Sequence, residues 1–198
     1  EPQLIAVISP DGQQEVLCRN HNLVLRDYTT GVEKALTEDG EAHYGYGNYT
    51  GHMSRGVCAN KPLPPTVIWS ADGRYLAVER IDERHVKDMP LMQSVPEDGS
   101  FRPTNHPYKQ TQPGDSDIAL ASLCVIDLKH GTIIRSDQPP SSGGGFICSQ
   151  ALRWGDDNLV YYIDCTRDKR TVRFIAFDPV KGTSRVLLEE SDEGFIYP

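Results

Sequence analysis

Apolar residues in this chain come in short bursts of strand length, each closed by a turn signal. Leu4 to Ile8 runs into Ser9-Pro10-Asp11-Gly12. Glu15 to Arg19, Leu23 to Arg26 and Glu33 to Leu36 follow, separated by Asn20-His21-Asn22 and by Asp27 to Gly31. Short β-branched runs with tight Asn, Asp and Gly connections predict an antiparallel meander. No segment carries an apolar stripe of helical period with capping residues. The expectation is a mostly β protein.

The pattern then repeats. Ile68-Trp69-Ser70-Ala71-Asp72-Gly73 restates the earlier Ser-Pro-Asp-Gly turn, and Leu152-Arg153-Trp154-Gly155-Asp156-Asp157 is a looser third copy. A second phrase recurs as "LVLRDYTTGVEKALT" (23–37), "LCVIDLKHGTIIRS" (123–136) and "FIAFDPVKGTSRVLL" (174–188). In each, a strand meets an Asp, a turn closes on Gly, and another strand leaves. Asp27, Asp127 and Asp178 align, as do Gly31, Gly131 and Gly182. The carboxylate can bond the turn backbone, and glycine can take the positive φ the turn needs. The recurring unit predicts an all-β fold: about three four-stranded antiparallel blades of a β-propeller, a partial propeller, within one domain over 1–198. The blades fall roughly at 4–37, 66–136 and 150–190. A β-sandwich with coincidental turns is the alternative. Asp11, Gly12, Asp72, Gly73, Asp127, Gly131, Asp178 and Gly182 are read as structural turn residues.

Three segments interrupt the period. Residues 38–66 are polar, rich in glycine and end in prolines, and Ser141 to Gly145 reads as a flexible link. Residues 83–118, "ERHVKDMPLMQSVPEDGSFRPTNHPYKQTQPGDSDI", form a long insertion in the middle blade. Excursions of that length usually carry function or stay disordered.

Charge and composition exclude more than they assign. A net charge of -8 over 198 residues lacks the basic face of a nucleic-acid binder. No apolar run reaches the roughly eighteen residues of a membrane-spanning helix. The chain starts Glu1-Pro2-Gln3 without an initiator Met, which reads as a mature protein or a piece of a longer one. Cys18, Cys58, Cys124, Cys148 and Cys165 form no close pair, so a zinc ribbon or dithiol redox site is not expected. They read as structural thiols, with any disulfide pairing open. His43, His52, His85 and His106 stand in loops without a converging ligand set, and no metal or cofactor is expected. Asn48-Tyr49-Thr50 fits a glycosylation sequon.

"WSADGRYLAVERIDERHV", "HPYKQTQPGDSD", "LCVIDLKHG" and "SRVLLEESDEGFI" occur in this order. The ordered set resembles the N-terminal propeller domain of the dipeptidyl peptidase IV family, in the prolyl oligopeptidase clan, over most of residues 4–197. The resemblance implies a parent enzyme in which an eight-bladed propeller sits over an α/β-hydrolase domain. That enzyme removes N-terminal dipeptides from peptide substrates with a Ser, Asp and His. This chain contains no Gly-x-Ser-x-Gly elbow, so it carries over no catalytic residue and is expected to have no activity on its own. The family also grips the peptide's amine with two adjacent glutamates between the first blade and Trp69. Here no carboxylate occurs between Glu41 and Asp72, so no substrate-binding residue is assigned. Glu189-Glu190 matches a strand-end phrase and reads as solvated.

In the family, the excursion matching 83–118 is an arm that packs on a second protomer. Met89, Leu91, Phe101 and Tyr108 would supply apolar contacts, with Met92, Val95 and Pro103 beside them. Arg102, His106 and Lys109 would supply a polar rim. A loose loop, or a cover over the molecule's own sheet edge, are the alternatives. The resemblance thus implies a non-catalytic propeller portion with scaffold, substrate-access and homodimer-assembly roles, in a periplasmic or secreted protein. A stand-alone propeller-like binding protein is the competing reading.

Overall fold

The computed structural model describes residues 6–47, 64–142 and 152–196. Among them the regular structure is all β, with no helix. In chain order the strands begin with β1 (Val7–Ile8), β2 (Gln14–Arg19), β3 (Asn22–Asp27), β4 (Glu33–Ala35), β5 (Tyr44–Tyr46), β6 (Val67–Trp69) and β7 (Tyr75–Asp82). Four short strands follow: β8 (Asp88–Met89), β9 (Met92–Gln93), β10 (Thr104–Asn105) and β11 (Tyr108–Lys109). The chain then forms β12 (Leu120–Asp127), β13 (Thr132–Arg135), β14 (Leu152–Trp154), β15 (Val160–Cys165), β16 (Thr171–Asp178) and β17 (Thr183–Ser191).

Among the described residues these strands form three larger antiparallel sheets and two two-stranded ladders, β8-β11 and β9-β10. The first is β1-β2-β3-β4 and the third is β14-β15-β16-β17, each an uninterrupted meander. The second is β13-β12-β7, with β6 and β5 both on the free side of β7. β6 pairs with Leu76 to Val78, and β5 pairs with Arg80 to Asp82. The two short strands therefore line successive stretches of one long neighbour. The sequence pattern assigned 38–66 to an excursion and did not anticipate β5. β7 runs on through its charged end to Asp82, with Glu79 and Arg80 buried within it.

Repeated side-chain chemistry builds the turns. Ser9 Oγ donates to Asp11 Oδ1, the Gln13 N–H donates to the same oxygen, and the Gly12 N–H closes on the Ser9 carbonyl. Ser70, Asp72, Gly73 and Arg74 repeat this bond for bond. A further copy stands at Thr166-Arg167-Asp168-Lys169. There Thr166 Oγ1 donates to Asp168 Oδ1 at 2.6 Å, and the Lys169 N–H reaches the Thr166 carbonyl. Lys169 occupies the positive-φ position at 57°. A lysine in glycine's place hid this copy from the repeat pattern, although Thr-x-Asp was there to be read. The second phrase behaves as uniformly: Asp27, Asp127 and Asp178 each accept two backbone N–H bonds through Oδ1.

Two hydrophobic seams hold the sheets together. Val16, Leu23 and Leu25 of the first sheet meet Leu76, Val78, Cys124 and Ile126 of the second. Tyr75, Ala77, Leu123 and Val125, on the alternate positions of the same strands, meet Leu152, Val160, Tyr162, Ile175 and Phe177 of the third. The middle sheet is buried on both faces, so its strands read as nearly unbroken apolar runs. Each seam also has a tryptophan tether. Trp69 Nε1 donates to the Val7 carbonyl at 3.3 Å, and Trp154 Nε1 donates to the Ile68 carbonyl at 3.0 Å. Ser141, expected in a flexible link, is buried and exchanges both backbone hydrogen bonds with Ala121.

Candidate interaction arm

The insertion at 83–118 leaves the second sheet as an antiparallel hairpin. Asp88 and Met89 pair with Lys109 and Tyr108, and Met92 and Gln93 pair with Asn105 and Thr104. Between the two short ladders, Leu91 and His106 exchange backbone bonds, so the pairing continues past Pro90 and Pro107. The arm is therefore an ordered element with a defined register.

Its side chains divide by position. Met89, Leu91, His106 and Tyr108 are half-buried along the ladder. His106 Nε2 lies 2.9 Å from Gln93 Oε1 across it, a contact within the arm. The distal part is open: Met92, Val95 and Phe101 are 55%, 81% and 103% exposed, and Arg102 is exposed beside them. Lys109 pairs with Asp88 at 3.1 Å near the base.

The outgoing limb is fastened to the second sheet. Arg84 grips Asp82 through two bonds, Nε to Oδ1 at 2.9 Å and Nη2 to Oδ2 at 2.7 Å, and donates Nη1 to Glu41. Its guanidinium lies 3.9 Å from the centre of the Tyr44 ring, and that of Arg80 lies 3.7 Å from the same centre. Such contacts add electrostatic attraction to ring packing. Arg80 also forks onto Asp39 through Oδ2 and the backbone carbonyl, which explains how an arginine is buried in β7. Asp82 is held below the usual carboxylate range, chiefly by its hydrogen bond from Arg84. Glu83 is pushed up by burial, against the opposing hydrogen bond from His43 at 3.2 Å. The Glu83 N–H also bonds the His43 carbonyl.

The returning limb ends in a tight turn, Gln112-Pro113-Gly114-Asp115. Gly114 takes a φ of 91° after proline, as a type II turn requires. Asp115 Oδ2 accepts the Gln112 N–H at 2.8 Å, and the Asp115 N–H returns to the Gln112 carbonyl. Arg167 of the third sheet reaches this turn, donating to the Asp115 carbonyl and, at 3.0 Å, to the Gln112 carbonyl. Motif reading missed Arg167 and Tyr44, because neither belongs to a local phrase of the arm.

The remaining sequence-marked groups do not assemble into a reactive site. Among the described residues no group of three or more His, Cys, Asp and Glu side chains is placed to hold a metal ion. His43 and His85 stand at the arm's root, while His106 lies within the arm. Glu189 pairs with Arg173, and Glu190 is exposed on β17. Asn48 to Thr50, His52, Cys58, Cys148 and Gly143 to Gly145 lie outside the described residues. Cys18 and Cys124 are thiols raised by burial.

A family model for the dipeptidyl peptidase IV N-terminal region matches residues 1–198. A protein named probable dipeptidyl-aminopeptidase B from Arthroderma gypseum is 23% identical, over 98% of this chain and 22% of its own length. Dipeptidyl-aminopeptidase B from Aspergillus niger is 22% identical over the same shares. The chain thus spans about a fifth of the length of the curated relatives it matches. Among solved structures, dipeptidyl peptidase 4 from Porphyromonas gingivalis superposes with a TM-score of 0.73 at 17% identity, over 96% of this chain and 26% of that one.

Proposed function

The chain belongs to the dipeptidyl peptidase IV N-terminal region family, and we propose that it is the non-catalytic propeller portion of a serine exopeptidase of that kind. In this reading, an α/β-hydrolase domain elsewhere in the parent protein supplies the Ser, Asp and His. The sheets serve as a scaffold beside the path by which peptide reaches that domain. The absence of a Gly-x-Ser-x-Gly elbow from residues 1–198 supports a supporting role for this portion. Purified chain is expected to release nothing from a Gly-Pro chromogenic peptide, and cleavage that survives repurification would defeat the reading.

The arm is assigned to homodimer assembly. The observation that carries this is its distal end, where Met92, Val95 and Phe101 stand in solvent on an ordered hairpin. Apolar anchors surrounded by polar residues are what a protein interface buries. Phe101→Ser and Val95→Ser should each weaken self-association by about tenfold or more, measured by sedimentation, and leave the β-sheet circular dichroism unchanged. Replacing 89–112 with a short Gly-Ser bridge should abolish it. A monomer–dimer equilibrium indifferent to all three changes would refute the arm's role and favour a stand-alone binding protein.

A further inference from the structure

The arm's two limbs run out of β7 and back into β12, both in the second sheet, and the returning limb has a further anchor in the third. The outgoing limb is tied to the second sheet through Arg84, Tyr44, Glu83 and His43. The returning limb is held from the third sheet by Arg167. Arg167 is well placed for this. It occupies the second position of the Thr166-Arg167-Asp168-Lys169 turn, whose backbone is fixed by Asp168 and Thr166. Its Nη1 and Nη2 reach two carbonyls of one tight turn, which suits a planar fork and not a point charge. Thr111 to Gly114 and Thr166 to Asp168 together line a groove of about 760 Å³, and the guanidinium bridges the two walls. Lys87 approaches Asp115 only at 4.0 Å.

We propose that Arg167 is the positioning residue of the arm: it fixes the direction in which the hairpin leaves the molecule, and so makes that direction depend on the seating of the third sheet against the second. Assembly through the arm would then report on whether neighbouring sheets are correctly packed. This last consequence rests on the dimer reading above; the clamp itself does not.

The test uses the intact protein with Arg167→Ala, Arg167→Lys and, as a neighbouring-charge control, Arg170→Ala. Amide hydrogen exchange is followed by mass spectrometry, alongside sedimentation. Arg167→Ala should speed exchange over 111–119 by about tenfold, as expected for losing charge-assisted bonds to two carbonyls. Arg167→Lys should give a smaller effect, and Arg170→Ala none. Exchange in β15 and β16 should be unchanged. Wild-type exchange over 111–119 in Arg167→Ala overturns the proposal. So does a rise that extends through β15 and β16, which would mean that the arginine merely supports its own hairpin. Faster exchange at 111–119 with weakened self-association supports the full inference. Faster exchange with unchanged self-association upholds the clamp and removes its consequence for assembly, while the dimer reading stands or falls on the Val95, Phe101 and 89–112 changes.

Discussion

At the scale of single residues, this fold depends on aspartates that read as surface polar groups. Asp127 accepts bonds from the Lys129 and His130 backbone through Oδ1, and its Oδ2 meets Arg74 at 3.0 Å and the His130 ring at 2.8 Å. Burial pushes its carboxyl upward, but the bonds from His130 and Arg74 outweigh it and hold the group well below the usual range. A carboxylate depressed in the folded state contributes stability that is present above its unfolded value of about 3.9 and lost as pH falls through the folded one. Asp127→Asn should therefore cost about 2 kcal/mol at neutral pH. It should also remove part of the stability loss below about pH 4, read from urea midpoints across pH. Parallel acid limbs in the two proteins would contradict this. The Asp and Gly of these turns were legible because they recur in register. The tryptophan tethers were not, since nothing local tells an indole N–H which carbonyl of a preceding strand it will meet.

At the scale of elements, two glycines separate backbone conformation from space. Gly73 sits at a φ of 69°, and a Cβ added there would meet nothing within 4 Å. Alanine there should cost about 1 kcal/mol from conformation alone. Gly40 has an ordinary φ, but a Cβ would stand 2.2 Å from the His21 carbonyl oxygen. Gly40→Ala must therefore displace backbone, at a cost of about 3 kcal/mol, the upper range for overpacking. Thermal or chemical denaturation should rank the two variants in that order; equal costs would show that the 37–44 loop can shift freely against the β2–β3 turn. That loop matters because it delivers Asp39, Tyr44 and Tyr46 to Arg80. It is also why β5 and the tail of β7 escaped the hydrophobic pattern. Three residues in a glycine-rich run carry too little periodicity, and a buried arginine looks exposed until its partners arrive from a distant part of the chain. The meanders of the first and third sheets, by contrast, follow from alternation and turn chemistry that are complete within each hairpin.

At the scale of the whole molecule, the described sheets have no common centre. Their apolar side chains lie in two seams, and only the second sheet contributes to both. Contacts between neighbouring layers alone make stability a sum of layer and interface contributions, as in other repeat architectures. Leu76 belongs to the first seam, and Phe177 to the second, both fully buried. Leu76→Ala should cost about 3 kcal/mol and Phe177→Ala about 4 kcal/mol. The informative result is where hydrogen exchange quickens. For Leu76→Ala the increase should fall on β1 to β3 and on the facing strands β7 and β12, leaving β15 and β16 near their original rates. For Phe177→Ala the pattern should reverse, with β14 to β17 opening and β2 and β3 protected. A uniform rise in both variants would mean that the two seams melt as one unit. The third sheet could not then loosen separately, and the anchoring of the arm through Arg167 would have no packing event of its own to sense.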